Sequence, residues 1–243
     1  MVWRLPLRLI ADAALPPRCP GCSAVTRRDH QFCARCWGEL RFLAPPWCAR
    51  CHTPFTVDRG DDALCGHCLA HPPHHAGVRA AVAYDDISRA IALRLKYQGH
   101  IAYAETVARH MARLMPESAG LLVPVPLHAT RLWRRGFNQA ALIAGSLARL
   151  SGVPADVTSL RRTRATPVLR GLGRSARADA VARAFAVVPA RPDGIAGRSI
   201  VLVDDIYTSG ATTDACTAAL LKAGAARVTI LCWARVLDPA AVD

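Results

Sequence analysis

Eight of the ten cysteines lie between Cys19 and Cys68, in four pairs each separated by two residues: Cys19/Cys22, Cys33/Cys36, Cys48/Cys51 and Cys65/Cys68. A Cys-x-x-Cys turn points two thiolates at one place, and two such turns complete the tetrahedral four-sulfur set that zinc prefers. Four turns therefore imply two metal ions. A disulfide framework would need an exported protein. The stretch Met1 to Leu15 is interrupted by Arg4, Pro6, Arg8 and Asp12 and lacks a clean signal-peptide apolar core. No apolar run approaches the ~18 residues of a membrane span, so the sequence reads as cytoplasmic. Fourfold repetition argues against redox pairs.

The gaps between successive pairs are 10, 11 and 13 residues. Loops of that length allow either sequential or cross-braced ligation. Sequential pairing is expected, because Pro45 and Pro46 fall between the second and third pairs and suit a break between two small ribbons. Sites filled by four cysteines leave no open position for water, so both zinc ions are read as structural and as the main source of the segment's folding free energy. His30, His52 and His67 are then solvated or supporting groups rather than ligands. The expected organisation is a double zinc-ribbon module over residues 1–70, a linker over 71–77 with Pro72 and Pro73, and a second domain over 78–243.

Across 243 residues, a hydrophobic content of 52% with 20% charged residues excludes a disordered or fibrous chain. The net charge of +13 favours anionic partners such as phosphates, nucleotides or nucleic acid, without choosing among them. From Val78 onward, apolar strands alternate with amphipathic helical stretches, the signature of an α/β protein with a parallel sheet. Strands are expected over Val78 to Tyr84, Leu121 to Pro126, Ser199 to Asp204 and Arg227 to Trp233. Helices are expected over Ser88 to Tyr97, Ala102 to Met115, Gln139 to Leu150 and Thr212 to Ala223. Cys216 and Cys232 are expected to pack as small apolar residues, with Trp233 beside them.

The run from Ser199 to Thr213 carries the chemistry. An apolar strand ends in Asp204 and Asp205, and Thr208-Ser-Gly-Ala-Thr212 then opens a helix. The strand sets the acids at the carboxyl edge of the sheet, where open α/β folds bind ligands. Gly210 permits tight curvature, so backbone N–H groups and the hydroxyls of Thr208, Ser209 and Thr212 converge at the positive end of the helix. The donors suit a phosphate and the carboxylates suit sugar hydroxyls, so a ribose 5-phosphate would satisfy both. An ordinary strand-turn-helix with a Thr cap has the same elements.

Val201-Leu-Val-Asp-Asp-Ile-Tyr-Thr-Ser-Gly-Ala-Thr212 resembles the phosphoribosyl pyrophosphate (PRPP) signature of type I phosphoribosyltransferases. Leu95-Lys-Tyr-Gln-Gly99, Val123-Pro-Val-Pro-Leu-His128 and Arg131-Leu-Trp-Arg-Arg-Gly-Phe-Asn-Gln139, behind the cysteine ribbons, are similar to the ComF/GntX family of double-zinc-ribbon, phosphoribosyltransferase-like proteins. The resemblance runs from about Cys19 to Arg235. It implies a Rossmann-like parallel sheet, catalytic roles for Asp204 and Asp205, and a PRPP phosphate loop formed by Thr208, Ser209, Gly210, Ala211 and Thr212. It also implies a pyrophosphate loop at Pro124, Val125, Pro126 and Leu127 up to His128, with Mg2+ accompanying PRPP.

Some assignments stay open. Lys96, one of two lysines in an arginine-rich chain, suits either a pyrophosphate contact or a snorkelling helix position. Arg131, Arg134 and Arg135 suit pyrophosphate, a polyanionic partner or a solvated face. Nine arginines between Arg161 and Arg198 correspond by position to the family's flexible catalytic loop, although Leu169 stands where the family usually has Gln. Purine salvage enzymes of this kind carry a general-base Asp where this chain has Thr208, so purine salvage is disfavoured. Through its resemblance the chain is connected with competence and DNA uptake, and two functions are implied: phosphoribosyl transfer to an unidentified acceptor, or non-catalytic PRPP sensing or single-stranded DNA binding.

Overall fold

A computed structural model of the chain describes residues 16–164, 183–188 and 194–237. Its centre is a four-stranded sheet of β1 (Val78–Ala83), β2 (Leu121–Pro124), β5 (Ser199–Tyr207) and β6 (Arg227–Arg235), ordered β1-β6-β5-β2 with every pair parallel. These are near-continuous apolar runs, as strands covered on both faces must be. Along β5 the pleat separates two cores. Val201 and Val203 face helices α3 (Asp86–Tyr97), α4 (Tyr103–Met111) and α6 (Gln139–Ser151). Ile200 and Leu202 face α7 (Ala211–Lys222) and a hairpin of β3 (Leu160–Arg162) with β4 (Phe185–Val187).

All four expected strands and helices form, with shifted ends. Helix α3 begins at Asp86, ahead of the expected Ser88, because Asp85 and Ser88 close a reciprocal capping box, with Ser88 N–H donating to Asp85 Oδ1 at 2.7 Å and Asp85 N–H to Ser88 Oγ at 2.8 Å. Two elements have too few apolar residues to be read from periodicity: the β3/β4 hairpin, and α5 (Ala129–Arg135), which no buried residue marks. Strand β5 passes the expected end at Asp204 and continues to Tyr207, with Ile206 and Tyr207 opposite Ala234 and Arg235 of β6. Among the described residues no helix is long and apolar enough to cross a membrane.

The cysteine-rich segment does not stand apart from the sheet. Its helices α1 (Ala34–Glu39) and α2 (Gly66–Ala70) are one or two turns long. Cys19, Phe32, Cys36 and Leu40 belong to the same core as Leu95, Val203 and Trp233. The rings of Phe32 and Trp233 are parallel, 6.5 Å apart. Burying a side chain such as Phe32 stabilises by about 1.5–3 kcal/mol, so this segment draws on a shared core as well as on metal. The stretch 71–77 is also tied down: His75 is buried, and Ala76 N–H donates to Val228 O at 2.8 Å. Cys216, Cys232 and Trp233 are fully buried, as expected.

Candidate functional site

The two acids of β5 lie side by side, their carboxyls in contact, because the strand runs through them to Tyr207 instead of stopping at Asp204. Asp204 is half-buried and shares a cavity of about 50 Å³ with Ile206 and residues Tyr207 to Thr213. Asp205 is buried, its Oδ2 lying 2.5 Å from Lys96 Nζ. Lys96 is thus neither in solvent nor snorkelling.

Around Asp205 the motif stretches converge. Gln139, the first residue of α6, donates Nε2–H to Asp205 Oδ1 at 3.3 Å and accepts from Arg135 Nη1 at 2.5 Å. The Arg135 guanidinium lies 5.1 Å from the ring centre of Tyr97. Asn138 caps α6 through Ala140 N–H and donates Nδ2–H to Val125 O at 3.0 Å. Sequence reasoning quoted this stretch without seeing that Gln139 orders the second acid. Arg134 sits exposed on α5, and among the described residues it has no comparable tie to the acids.

Charge is divided unequally between the acids. Burial, and then the charge of Asp205, holds the Asp204 carboxyl well above the usual carboxylate range. Burial acts the same way on Asp205, but the Lys96 ammonium and the Gln139 amide outweigh it and hold Asp205 below that range. Burial also opposes charge on Lys96, and the carboxylates of Asp205 and Asp204 outweigh it, raising its affinity for the proton. The free site therefore holds one ion pair beside a carboxyl whose charged form is disfavoured.

The loop after β5 curves as its sequence requires. Gly210 caps α7 at φ +83°, and a Cβ there would meet the Tyr207 hydroxyl at 2.5 Å, so both backbone and space select glycine. Thr213 Oγ–H and Asp214 N–H both donate to Gly210 O at 2.8 Å, fixing the first turn. The leading amides of a helix have no partner within it and face outward with the positive dipole end. Thr208, Ser209, Gly210, Ala211 and Thr212 all line the cavity that Asp204 enters.

Pro124 to Leu127 end β2 beside β5, with Pro124 opposite Val203. Val125 N–H is spent on Val203 O at 2.9 Å. Proline has no N–H, so Leu127 carries the one backbone donor of these four residues left for a ligand. His128 caps α5, accepting from Thr130 N–H at 3.3 Å. Of the arginine-rich stretch expected to hold the catalytic loop, residues 161–164, 183–188 and 194–198 are described, and Thr163 N–H meets Ala184 O at 2.9 Å at the base of the hairpin. Residues 165–182, Leu169 among them, lie outside the described residues.

The eight paired cysteines form two sets, Cys19/Cys22/Cys33/Cys36 and Cys48/Cys51/Cys65/Cys68, each with all sulfurs within 4.8 Å of one another. This is the sequential arrangement. The sulfurs of Cys22 and Cys33, and those of Cys51 and Cys65, are 3.6 Å apart. Zinc about 2.3 Å from four sulfurs holds them about 3.8 Å apart, so both sets fit the ion. His30, His52 and His67 stay outside both sets: His30 Nδ1 is 2.9 Å from Thr106 Oγ1, and His52 stacks on Trp47 at 4.4 Å.

The second set has a partner the sequence reading did not find. Arg235, the last residue of β6 and itself buried, donates from Nη1 to Cys51 O and from Nη2 to Thr53 Oγ1 at 2.7 Å. Burial raises the affinity of the Cys51 thiol for its proton, but the Arg235 charge and the Thr53 bonds outweigh it and bring the pKa to about 6. The signal was present as a lone arginine closing the apolar run from Val228 to Ala234.

The chain is similar to several known proteins. A model of the double zinc ribbon domain matches residues 10–69. The DNA utilization protein YhgH of Escherichia coli K12 is 30% identical over 232 residues, covering 90% of each chain. Competence protein F of Haemophilus influenzae is 27% identical over 229 residues, 89% of this chain and 90% of its own. Competence protein ComFC of Bacillus subtilis is 25% identical over 209 residues, 82% and 81% respectively. Among solved structures, the glutamine PRPP amidotransferase of B. subtilis is 18% identical with a TM-score of 0.37, over 52% of this chain and 25% of its own.

Proposed function

The chain belongs to the ComF family of double-zinc-ribbon proteins, and on that premise we propose that it is a competence-associated, phosphoribosyltransferase-like protein that binds PRPP with Mg2+ at the carboxyl edge of β5. The observation that carries the reading is the shared cavity of Asp204 and the Thr208–Thr212 loop. It sets an acceptor for sugar hydroxyls beside helix-end donors for a 5-phosphate. Its volume of about 50 Å³ exceeds the about 10–15 Å³ needed for a single water.

In phosphoribosyl transfer a nitrogen nucleophile forms a bond to C1 of the ribose as the C1–O bond breaks and pyrophosphate leaves with the electron pair. The loop amides and hydroxyls hold the 5-phosphate, which fixes the ring, and Asp204 accepts from the ribose hydroxyls once it has lost its proton. In this reading Lys96, the Leu127 N–H and Arg135, beside Gln139, would meet the leaving negative charge. Asp204 and Asp205 are hard oxygen donors suited to holding Mg2+, which would supply charge neutralisation of the pyrophosphate. Catalysis by such a site is positional and electrostatic and needs no covalent nucleophile. Thr208 in place of a carboxylate base disfavours a purine acceptor. Incubation with PRPP, Mg2+ and candidate amines or pyrimidines, read as pyrophosphate release, tests turnover; the reading predicts release that Asp204→Asn abolishes.

One observation favours a second reading, in which the protein binds PRPP and single-stranded DNA without turnover. Trp133 on α5 is 88% exposed between Arg131 and Arg134, and Tyr97 is 71% exposed under Arg135. Exposed aromatics among arginines form the stacking and phosphate-binding surface that single strands use. This reading predicts binding that weakens steeply with salt and with Trp133→Ala, while pyrophosphate release stays at background.

A further inference from the structure

Parallel strands β5 and β6 end side by side, with Tyr207 opposite Arg235 and Val236 N–H donating to Tyr207 O at 2.9 Å. From this position Arg235 reaches in two directions. One side of its guanidinium is bonded to Cys51 O and Thr53 Oγ1, and Nη2 is 3.8 Å from Cys51 Sγ. Its other neighbour is the ring of Tyr207, 5.3 Å from the guanidinium carbon. The Tyr207 hydroxyl in turn fills the space under Gly210, where a methyl group would collide with it. An unbroken line of contacts thus runs from the second four-cysteine set to the turn of the phosphate loop.

We propose that Arg235 and Tyr207 are positioning residues through which the second metal centre fixes the shape of the phosphate loop, making metal occupancy there a condition of tight ligand binding. The inference rests on the PRPP reading of that loop. Two physical reasons support it. Both acceptors of Arg235 lie on the Cys48–Thr53 turn, whose geometry is set by four sulfurs meeting at one ion; without the ion the turn loses the constraint that holds Cys51 O and Thr53 Oγ1 in place. A buried cation also needs charge nearby. Among the described residues no carboxylate pairs with Arg235, whereas four thiolates around one Zn2+ leave a net negative charge beside it. Once released, the guanidinium no longer backs Tyr207, and Gly210 loses the surface it curves over.

The test uses the full-length chain and leaves every cysteine intact. Arg235→Gln and Thr53→Val are expected to keep two zinc ions per chain yet bind Mg2+-PRPP more weakly, by about tenfold for Arg235→Gln, within the range of typical couplings between sites. Coupling is reciprocal, so in cobalt-substituted wild type PRPP should shift the thiolate-to-cobalt absorption of one of the two centres, and the shift should vanish in Arg235→Gln. Wild-type affinity in zinc-loaded Arg235→Gln, with cobalt bands that PRPP leaves unmoved in the wild type, would overturn the proposal. If the wild type fails to bind PRPP, the reading of the loop falls, and the line of contacts is judged by metal release alone. Tyr207→Leu should then speed chelator extraction of one zinc and leave the other unchanged; equal rates in both proteins would refute the coupling.

Discussion

Lys96 and Asp205 form an ion pair at 2.5 Å beside Asp204, so the free protein keeps one acid of the pair occupied and leaves the other on the cavity of the loop after β5. Asp205 is buried and Lys96 keeps one-fifth of its side-chain exposure. Removing one member of such a pair strands its partner, at a cost of about 3 kcal/mol, the lower end for a buried pair. Lys96→Met and Asp205→Leu should each lower stability in urea titrations by about this amount, and the double variant should recover much of it. Additive losses in the double variant would show that the pair does not act as a unit.

The acids predict opposite pH dependences. Asp204 has a raised folded pKa, so its contribution is full below the unfolded value near 3.8 and is lost as pH rises through the folded value, at about 1.4 kcal/mol per pH unit in that window. Asp205 has a lowered folded pKa, so its contribution is present above pH 3.8 and lost as pH falls through the folded value. Asp204→Asn should therefore be more stable than wild type at pH 7, and the gain should disappear below about pH 4. Thermal melts across pH 3 to 8 check the sign.

Ligand binding that ionises Asp204 releases a proton, so PRPP affinity should rise with pH above 4 until the free carboxyl ionises by itself. Titrations in two buffers of different ionisation enthalpy should give different apparent heats for wild type, and matching heats for Asp204→Asn at whatever binding remains.

Gly210→Ala combines a left-handed backbone with a 2.5 Å collision against the Tyr207 hydroxyl. The backbone alone costs about 1–2 kcal/mol. Stability should fall by at least that much in denaturant titrations, and PRPP binding should fall further than stability does.

Sequential ligation predicts that Cys22→Ser lowers bound zinc from two ions per chain to one, and Cys65→Ser likewise, each change confined to its own set. Metal analysis by mass spectrometry reads this directly. Cross-braced ligation would let one substitution disturb both ions.

Much of this was legible in the chain because it is local. Four Cys-x-x-Cys turns and their spacing fix two metal sets, and the run from Ser199 to Thr212 gives strand, acid pair, turn and helix from composition alone. What escaped depends on residues distant in sequence. That Asp205 meets Lys96 and Gln139 depends on helices 109 and 66 positions away in the chain, which local residue preference does not report. Arg235 meets Cys51 across 184 positions, a contact that no spacing rule reports. The ribbons likewise looked self-contained until Phe32 was seen against Trp233.

Titration of PRPP with Mg2+ into the zinc-loaded chain, watched by calorimetry, bears most directly on the cradle formed by Asp204 and the loop after β5. Saturable one-to-one binding by wild type, lost in a folded Asp204→Asn/Asp205→Asn variant, is the predicted result. No binding by the wild type, or undiminished binding by that variant, would contradict it.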